Sequence, residues 1–348
     1  MSLDNNKIKW EHVDKWVKKA GSKALWKCYG LPEVLNIKTS AFADIDPMPR
    51  WQIPDKVFIS VAITGAFISQ RANPNQPVTP SQIRDSADEC LKAGATTVHI
   101  HVRDKNGLNV LDPELFKEVI SPLRERHPEA VIDGCLVAVS DEEDSAMVPV
   151  MRSGLLDALP VNPTAMCCGD NMFYKPPHAL IEKTRQTLDA GLIPQIAVYT
   201  DGDIDNARRY LVQSGLVDKP CYWLILPALP GCSPMHSPQS MVDGLMRMVR
   251  LIREIDEFGI IAVCASGRAS TYLATQALIL GLHVRVGMED TPWKWPHKED
   301  MLKSSVEHFH MVADIARALG REVMTPVEYR KLIGLPAVRK IDKSLSKT

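Results

Sequence analysis

Val98-His99-Ile100-His101-Val102-Arg103-Asp104 is a short apolar run that ends in residues a buried strand does not carry for packing alone. A second such run, Val286-Gly287-Met288-Glu289-Asp290, lies far downstream. Side chains at i and i+2 of a strand share one face, with Cα atoms roughly 6.5–7 Å apart. His99 and His101 can therefore converge on one metal ion, and a carboxylate from another strand can complete the site. Two imidazoles and one carboxylate leave a coordination position open, as a catalytic metal requires. The alternative is a pair of hydrogen-bonded core histidines. The i, i+2 spacing followed directly by Arg103 and Asp104 favours the metal.

The flanking sequence supplies the frame. From residue 56 onward, short apolar runs alternate with longer amphipathic ones. Strands are expected over 57–64, 97–102, 130–137, 158–161, 194–199, 222–226, 260–264 and 284–288. Helices are expected over 80–93, 113–126, 142–152, 178–190, 203–214, 238–256, 269–281 and 299–319. Thr79-Pro80-Ser81-Gln82 carries a capping threonine, a proline at the first helical position and a glutamine at the third. Eight alternations with near-continuous apolar strands point to an α/β chain folded as a (β/α)8 TIM barrel. An open doubly wound sheet is the rival, but no GxGxxG follows the first strand.

A closed barrel would bring the two opening motifs together, because its second and eighth strands flank the first. Barrel enzymes place their sites at the carboxyl ends of the strands. Arg285, Gly287 and Glu289 would share one face of strand eight, as His99 and His101 share one face of strand two. Glu289 is then the third metal ligand and Asp290 a general base beside it. The pair could instead cap the next element. Arg285, aimed into the barrel mouth, needs an anionic partner, for which a substrate carboxylate is the natural choice. Arg103 and Asp104 are expected to form a structural ion pair. Ser266-Gly267-Arg268 follows strand seven and opens a helix, so it suits a phosphate or is an ordinary strand-to-helix turn.

Composition narrows the function classes. A net charge of −1 over 348 residues gives no broad basic surface for nucleic acid or anionic membrane. No apolar run approaches the roughly 20 residues that span a bilayer, and the polar N-terminus lacks a signal-peptide core. Eight cysteines without CxxC spacing suggest reduced thiols and a cytoplasmic protein. Residues 1–55 form an extension with Trp10, Trp16, Trp26 and Trp51, expected to pack on the main domain or a neighbouring subunit. Residues 56–335 form the barrel, and 336–348 a tail.

Several separated motifs then fall into a known order. Val61-Ala62-Ile63-Thr64-Gly65-Ala66, Gln76-Pro77-Val78-Thr79-Pro80, the His99–Asp104 run, Val284-Arg285-Val286-Gly287-Met288-Glu289-Asp290 and Pro326-Val327-Glu328-Tyr329-Arg330 resemble the β-keto acid cleavage enzymes over about residues 56–335. The resemblance implies a zinc-dependent TIM barrel that converts a β-keto acid and acetyl-CoA into acetoacetate and a new acyl-CoA, without NAD, flavin or a Schiff-base lysine. It implies His99, His101 and Glu289 as zinc ligands, Arg285 as the group that holds a carboxylate or polarises the reactants, and Asp290 as the base. It also suggests a homo-oligomer. Ser266, Gly267 and Arg268 would meet the acyl-CoA phosphates.

Departures from the family pattern concentrate where substrate is recognised. Phe67 stands where the aminohexanoate-cleaving members carry a glutamate, so an ammonium-bearing substrate loses its acidic partner. Cys135 replaces a serine- or threonine-rich strand end, Asn162 and Thr164 occupy the end of strand four, and residues 195–199 lack the usual acid. These four, Phe67, Cys135, Asn162 and Thr164, are the candidate substrate-binding residues. Two other functions stay open: a metal-dependent barrel hydrolase or lyase that does not use acetyl-CoA, and a non-catalytic barrel that binds metal and acyl-CoA.

Overall fold

A computed structural model describes residues 9–20, 51–138, 141–168, 171–227, 232 and 236–338. The chain divides into two compact units, Met1–Gln52 and Ile53–Thr348. In the first, the described helix is Trp10–Ala20, with Glu11 in its first turn and Lys18 and Lys19 in its last, an order that complements the helix dipole. Trp10 and Trp51 are exposed. Trp26, the side chain of Trp16 and residues 339–348 of the tail lie outside the described residues.

In the second unit eight parallel strands close into a barrel. They are β1 (Ile59–Ala62), β2 (Thr97–Ile100), β3 (Val131–Gly134), β4 (Ala158–Val161), β5 (Ile193–Val198), β6 (Tyr222–Ile225), β7 (Ile260–Cys264) and β8 (His283–Val286). Each expected strand is present, in the expected order. β8 pairs with β1 (Val284↔Ile59, Arg285↔Ser60, Val286↔Val61), and β1 with β2 (Ala62↔His99). The strands are buried on both faces because alternate residues serve two cores. In β6, Trp223 and Ile225 join the layer between strands and helices. Tyr222 and Leu224 turn inward to meet Phe58, Val131 and Ala262.

The amino-terminal end of the barrel is plugged. A helix at Pro326–Leu332, opened by a Thr325–Glu328 capping box, directs Tyr329 into the interior. There its hydroxyl bonds the Tyr222 hydroxyl at 3.0 Å and its ring lies 4.4 Å from Phe58. Its neighbour Arg330 donates to the Glu129 and Ala130 carbonyls and to Asp157, which also binds Arg124 at 2.5 Å. The carboxyl end is left to the loops, two of which form hairpins that the sequence pattern does not announce: Val102–Arg103 with Asn109–Val110, and Ala165–Cys168 with Asn171–Tyr174.

Two boundaries differ from expectation in ways that matter for the site. Lys56–Val57 leaves the barrel to pair with Glu322–Val323. Strand eight stops at Val286, not 288, and residues 287–290 form a turn. The cause is Gly287, whose φ of +137° and close approach to β1 break the ladder: a Cβ there would sit 2.1 Å from the Ala62 carbonyl oxygen. Among the described residues, no helix is long and apolar enough to cross a membrane.

Candidate metal and catalytic site

His99 is the penultimate residue of β2 and His101 directly follows the strand, at 1% and 7% exposure. Each ring is fixed from behind. His99 Nδ1 bonds Asp133 Oδ2 at 2.9 Å, and Asp133 is the residue directly across the ladder on β3. Asp133 also accepts from Thr97 Oγ1 at 3.3 Å. His101 Nδ1 bonds Asn109 Oδ1 at 2.7 Å, an acceptor supplied by the return strand of the first hairpin. With both Nδ1 atoms donating, both Nε2 lone pairs are free to serve as ligands.

Both Nε2 atoms face Glu289 Oε1, at 3.6 Å from His99 and 3.4 Å from His101. Glu289 reaches them from the turn after β8, not from the strand face that alternation assigns it. Its backbone N–H bonds the Ala62 carbonyl at 3.3 Å. Gly65, with φ +62°, leaves room for its side chain, since a Cβ at 65 would lie 2.4 Å from Glu289 Cγ. Cys135, one residue past β3, joins the same cluster: its sulfur and one nitrogen of each histidine all lie within 4.8 Å of one another.

The field in this pocket favours positive charge. Burial alone would lower the His99 pKa, but the Glu289 and Asp133 carboxylates outweigh it and raise the ring to about 9. Burial likewise opposes ionisation of Cys135, yet the neighbouring imidazoles of His101 and His99 bring its thiol down to about 5. Glu289, despite its burial, is held well below the usual carboxylate range by Arg285, His101 and His99. Its second oxygen, Oε2, is buried with no hydrogen-bond partner among the described residues. A buried, unsatisfied carboxylate oxygen beside two convergent imidazole lone pairs and an ionisable thiol is a donor set that fits zinc.

Arg285 is buried on β8 and already has its anions. Its Nη2 lies 3.1 Å from Glu289 Oε1 and 2.6 Å from Asp290 Oδ1, and its Nε lies 3.2 Å from Asp290 Oδ2. Sequence alone assigns Arg285 a substrate carboxylate as its partner; the turn after β8 brings two internal carboxylates to it. Cys264, at the end of β7, donates its S–H to Asp290 Oδ1 at 3.2 Å. Burial raises the Asp290 pKa, Arg285 opposes the rise, and Glu289 adds to it, leaving a carboxyl more basic than an ordinary aspartate.

The expected Arg103–Asp104 ion pair is absent from the described contacts. The Arg103 guanidinium donates instead to the Gly65, Gly107, Thr64 and Ile68 carbonyls, which ties the β1 and β2 loops together. Asp104 accepts from the Asn106 and Leu108 N–H groups and shapes the first hairpin. Each partner is already engaged, Arg103 by four backbone carbonyls and Asp104 by the N–H groups of the turn that follows it.

The remaining candidates are more dispersed. Asn162 is buried and donates to the Tyr199 hydroxyl at 3.0 Å; Thr164 is buried nearby in sequence. Phe67 is 76% exposed on the loop after β1. Ser266 is buried, and the Gly267 N–H bonds the Asp290 carbonyl at 2.9 Å, so this loop supports the turn that carries Asp290. Arg268 pairs with Glu299 at 3.1 Å and stacks 4.0 Å over Trp293. Asp133, Asn109, Cys264 and Tyr199 were not singled out by sequence. Period-two spacing from His99 and His101 leads to no residue on a neighbouring strand or hairpin.

Comparison with known proteins places the chain in a family. The family model described as beta-keto acid cleavage enzyme matches residues 56–335. A 3-keto-5-aminohexanoate cleavage enzyme of Fusobacterium nucleatum subsp. nucleatum is 30% identical over 287 residues, spanning 81% of this chain and 98% of that protein. A 3-oxoadipate:acetyl-CoA acetyltransferase of Cupriavidus necator is 27% identical over 285 residues, spanning 80% of this chain and 95% of that one. Among solved structures, the ternary complex of ObcA with a C4-CoA adduct and oxalate aligns with a TM-score of 0.66 at 18% identity, over 75% of this chain and 68% of that chain. At that identity the likeness is one of fold.

Proposed function

Because the chain belongs to the beta-keto acid cleavage enzyme family, we propose that it exchanges acyl groups between a β-keto acid and acetyl-CoA, releasing acetoacetate and a new acyl-CoA, at a zinc site held by His99, His101 and Glu289. The observation that carries the proposal is the buried meeting of both imidazoles with Glu289, beside the Arg285–Asp290 pair. Acetyl-CoA as co-substrate is supported by the name of the Cupriavidus necator relative.

The roles follow from the geometry. Zinc, when bound, supplies Lewis acidity toward the keto oxygen of the substrate. Asp290, buried and made more basic, takes the proton from the carbon between the ketone and the carboxylate of the β-keto acid. The carbanion attacks the acetyl thioester and coenzyme A thiolate departs. That thiolate attacks the original ketone, the bond between the ketone carbon and the central carbon breaks, and Asp290 returns its proton to the acetoacetate carbanion. Arg285 orients Asp290 through two hydrogen bonds and keeps it ionised for the first transfer. Arg268 serves the acyl-CoA phosphates by exchanging Glu299 for phosphate, while the Ser266 and Gly267 N–H groups, bonded to the Cys264 and Asp290 carbonyls, hold the turn beside it.

Substrate choice falls to Cys135, Asn162, Thr164 and the Phe67 loop. An exposed aromatic at Phe67 gives no counter-charge to an ammonium, which supports a substrate other than an amino-substituted keto acid. The cysteine pattern and the tryptophan-bearing extension support a cytoplasmic homo-oligomer. The test is a panel of β-keto acids with acetyl-CoA, read by acetoacetate formation. Wild-type protein loaded with zinc should form acetoacetate from at least one acid, and Asp290→Asn should slow it by about 10²–10⁴-fold. No acetoacetate from any acid would reject the reaction. Turnover without acetyl-CoA would point to a hydrolase or lyase instead.

A further inference from the structure

We propose that Cys135 is itself a ligand of the metal, so that the donor set is two imidazoles, one carboxylate and one thiolate. The inference rests on the metal assignment of the proposed function, concerns the fourth position, and moves Cys135 from the substrate-choosing residues to the metal, leaving that choice to Asn162, Thr164 and the Phe67 loop.

Its basis is register. On β3, Asp133 lies directly across from His99, and Gly134 from Ile100. The pairing continues one residue further, because the Cys135 N–H bonds the Ile100 carbonyl at 3.1 Å. Cys135 is thus level with His101, and it shares a strand face with Asp133 as His101 does with His99. Asp133 lies behind the His99 ring, at Nδ1. The Cys135 sulfur lies with the two imidazoles, all three ligand atoms within 4.8 Å of one another. A tetrahedral centre with its usual bond lengths sets neighbouring N and S donors roughly 3.3–3.6 Å apart, closer than the 4.8 Å within which the three atoms lie, so metal binding would draw them together. A second, independent observation lies on the Glu289 carboxylate, whose Oε1 faces the same two Nε2 atoms: its Oε2 is buried with no hydrogen-bond partner among the described residues.

A thiolate changes what the site selects. Two nitrogens and an oxygen accept most divalent ions, whereas sulfur shifts the preference toward zinc or cobalt and away from magnesium and manganese. The thiol gives up its proton when the metal binds. With four protein donors, the keto oxygen would have to enter as a fifth ligand, an expansion that catalytic zinc sites allow.

X-ray absorption at the zinc edge of the full-length, zinc-loaded protein tests this. Wild type should show one sulfur at about 2.3 Å together with nitrogen and oxygen at about 2.0–2.2 Å. Cys135→Ser should lose the sulfur shell and keep its zinc. A shell of nitrogen and oxygen alone in zinc-loaded wild type, or a sulfur shell that survives in Cys135→Ser, overturns the thiolate ligand and leaves the histidine–glutamate site standing. Wild type that takes up no zinc, or undiminished zinc in His99→Ala, overturns the metal assignment beneath it. If Cys135→Ser does not fold, iodoacetamide labelling of wild type decides: the Cys135 peptide should alkylate in metal-free protein and be protected by zinc, and equal labelling in both states overturns the proposal.

Discussion

Asp133 and Asn109 hold the backs of the two imidazoles, and the quality of the site depends on them as much as on the donors themselves. An acceptor at Nδ1 fixes ring orientation and raises the basicity of Nε2; losing one typically weakens metal binding 10–100-fold. Asp133→Ala should therefore bind zinc about 10–100-fold more weakly than wild type in a chelator competition, and equal affinity would contradict the assigned role. Gly287 matters for the opposite reason, its lack of a side chain. Gly287→Ala would press a methyl group onto the Ala62 carbonyl at a backbone angle that L-residues avoid. We expect a loss of at least about 1–3 kcal/mol in urea unfolding, with acetoacetate formation abolished because Glu289 and Asp290 lose their placement. The two histidines were legible in the sequence, since their spacing alone puts them on one face. Asp133 and Asn109 were not, because nothing near residue 99 or 101 says which residue the ladder or the hairpin will set beside it. Cys135 is read from sequence as a substrate-binding candidate, and its place among the imidazoles depends on the β2–β3 register, which no local pattern gives.

At the scale of elements, the eight strands were readable because a parallel barrel buries both faces of each strand, leaving unbroken apolar runs. The two hairpins above the barrel escaped, being short, polar and formed by pairing within a loop. The end of β8 escaped too: alternation carried the strand to residue 288, whereas the backbone conformation of Gly287 turns the chain toward β1. Glu289 thus arrives at the expected place by an unexpected route. At the opposite end, Asp157 joins three elements by binding Arg124, Arg330 and the Ile132 N–H. Asp157→Ala would leave two buried guanidinium groups without their shared carboxylate, and breaking a buried pair in this way costs about 3–5 kcal/mol. The denaturation midpoint should fall accordingly, while kcat of the protein that stays folded should hold, since the network lies far from the catalytic loops. A midpoint within experimental error of wild type would show that the network contributes little.

For the molecule as a whole, two buried neutral histidines set a response to acid. Burial, helped by Arg321 and Arg253, lowers His283 to about 3, and burial lowers His308 to about 4. Each Nδ1 accepts a backbone N–H, from Phe58 and Gly287 respectively. In the unfolded chain both rings titrate near 6.5, so below that pH the unfolded state binds protons that the folded state refuses. Stability therefore falls as the pH drops from about 6.5 to about 4, by about 1.4 kcal/mol per pH unit for each ring. Urea titrations at several pH values and fixed metal content should show that slope reduced by about 1.4 kcal/mol per unit in His283→Gln; an unchanged slope would mean that the ring is protonated in the folded protein. The barrel seam has one further consequence. β1 and β8 are ladder neighbours separated by more than two hundred residues of chain, and the reactive groups are divided across that gap, with His99 and His101 near its start and Arg285, Glu289 and Asp290 at its end. With the proposed ligands and base so divided, no shorter chain holds them all: a chain truncated before residue 283 should show no activity however well its earlier strands fold, because activity would wait for the last strand to dock against the first.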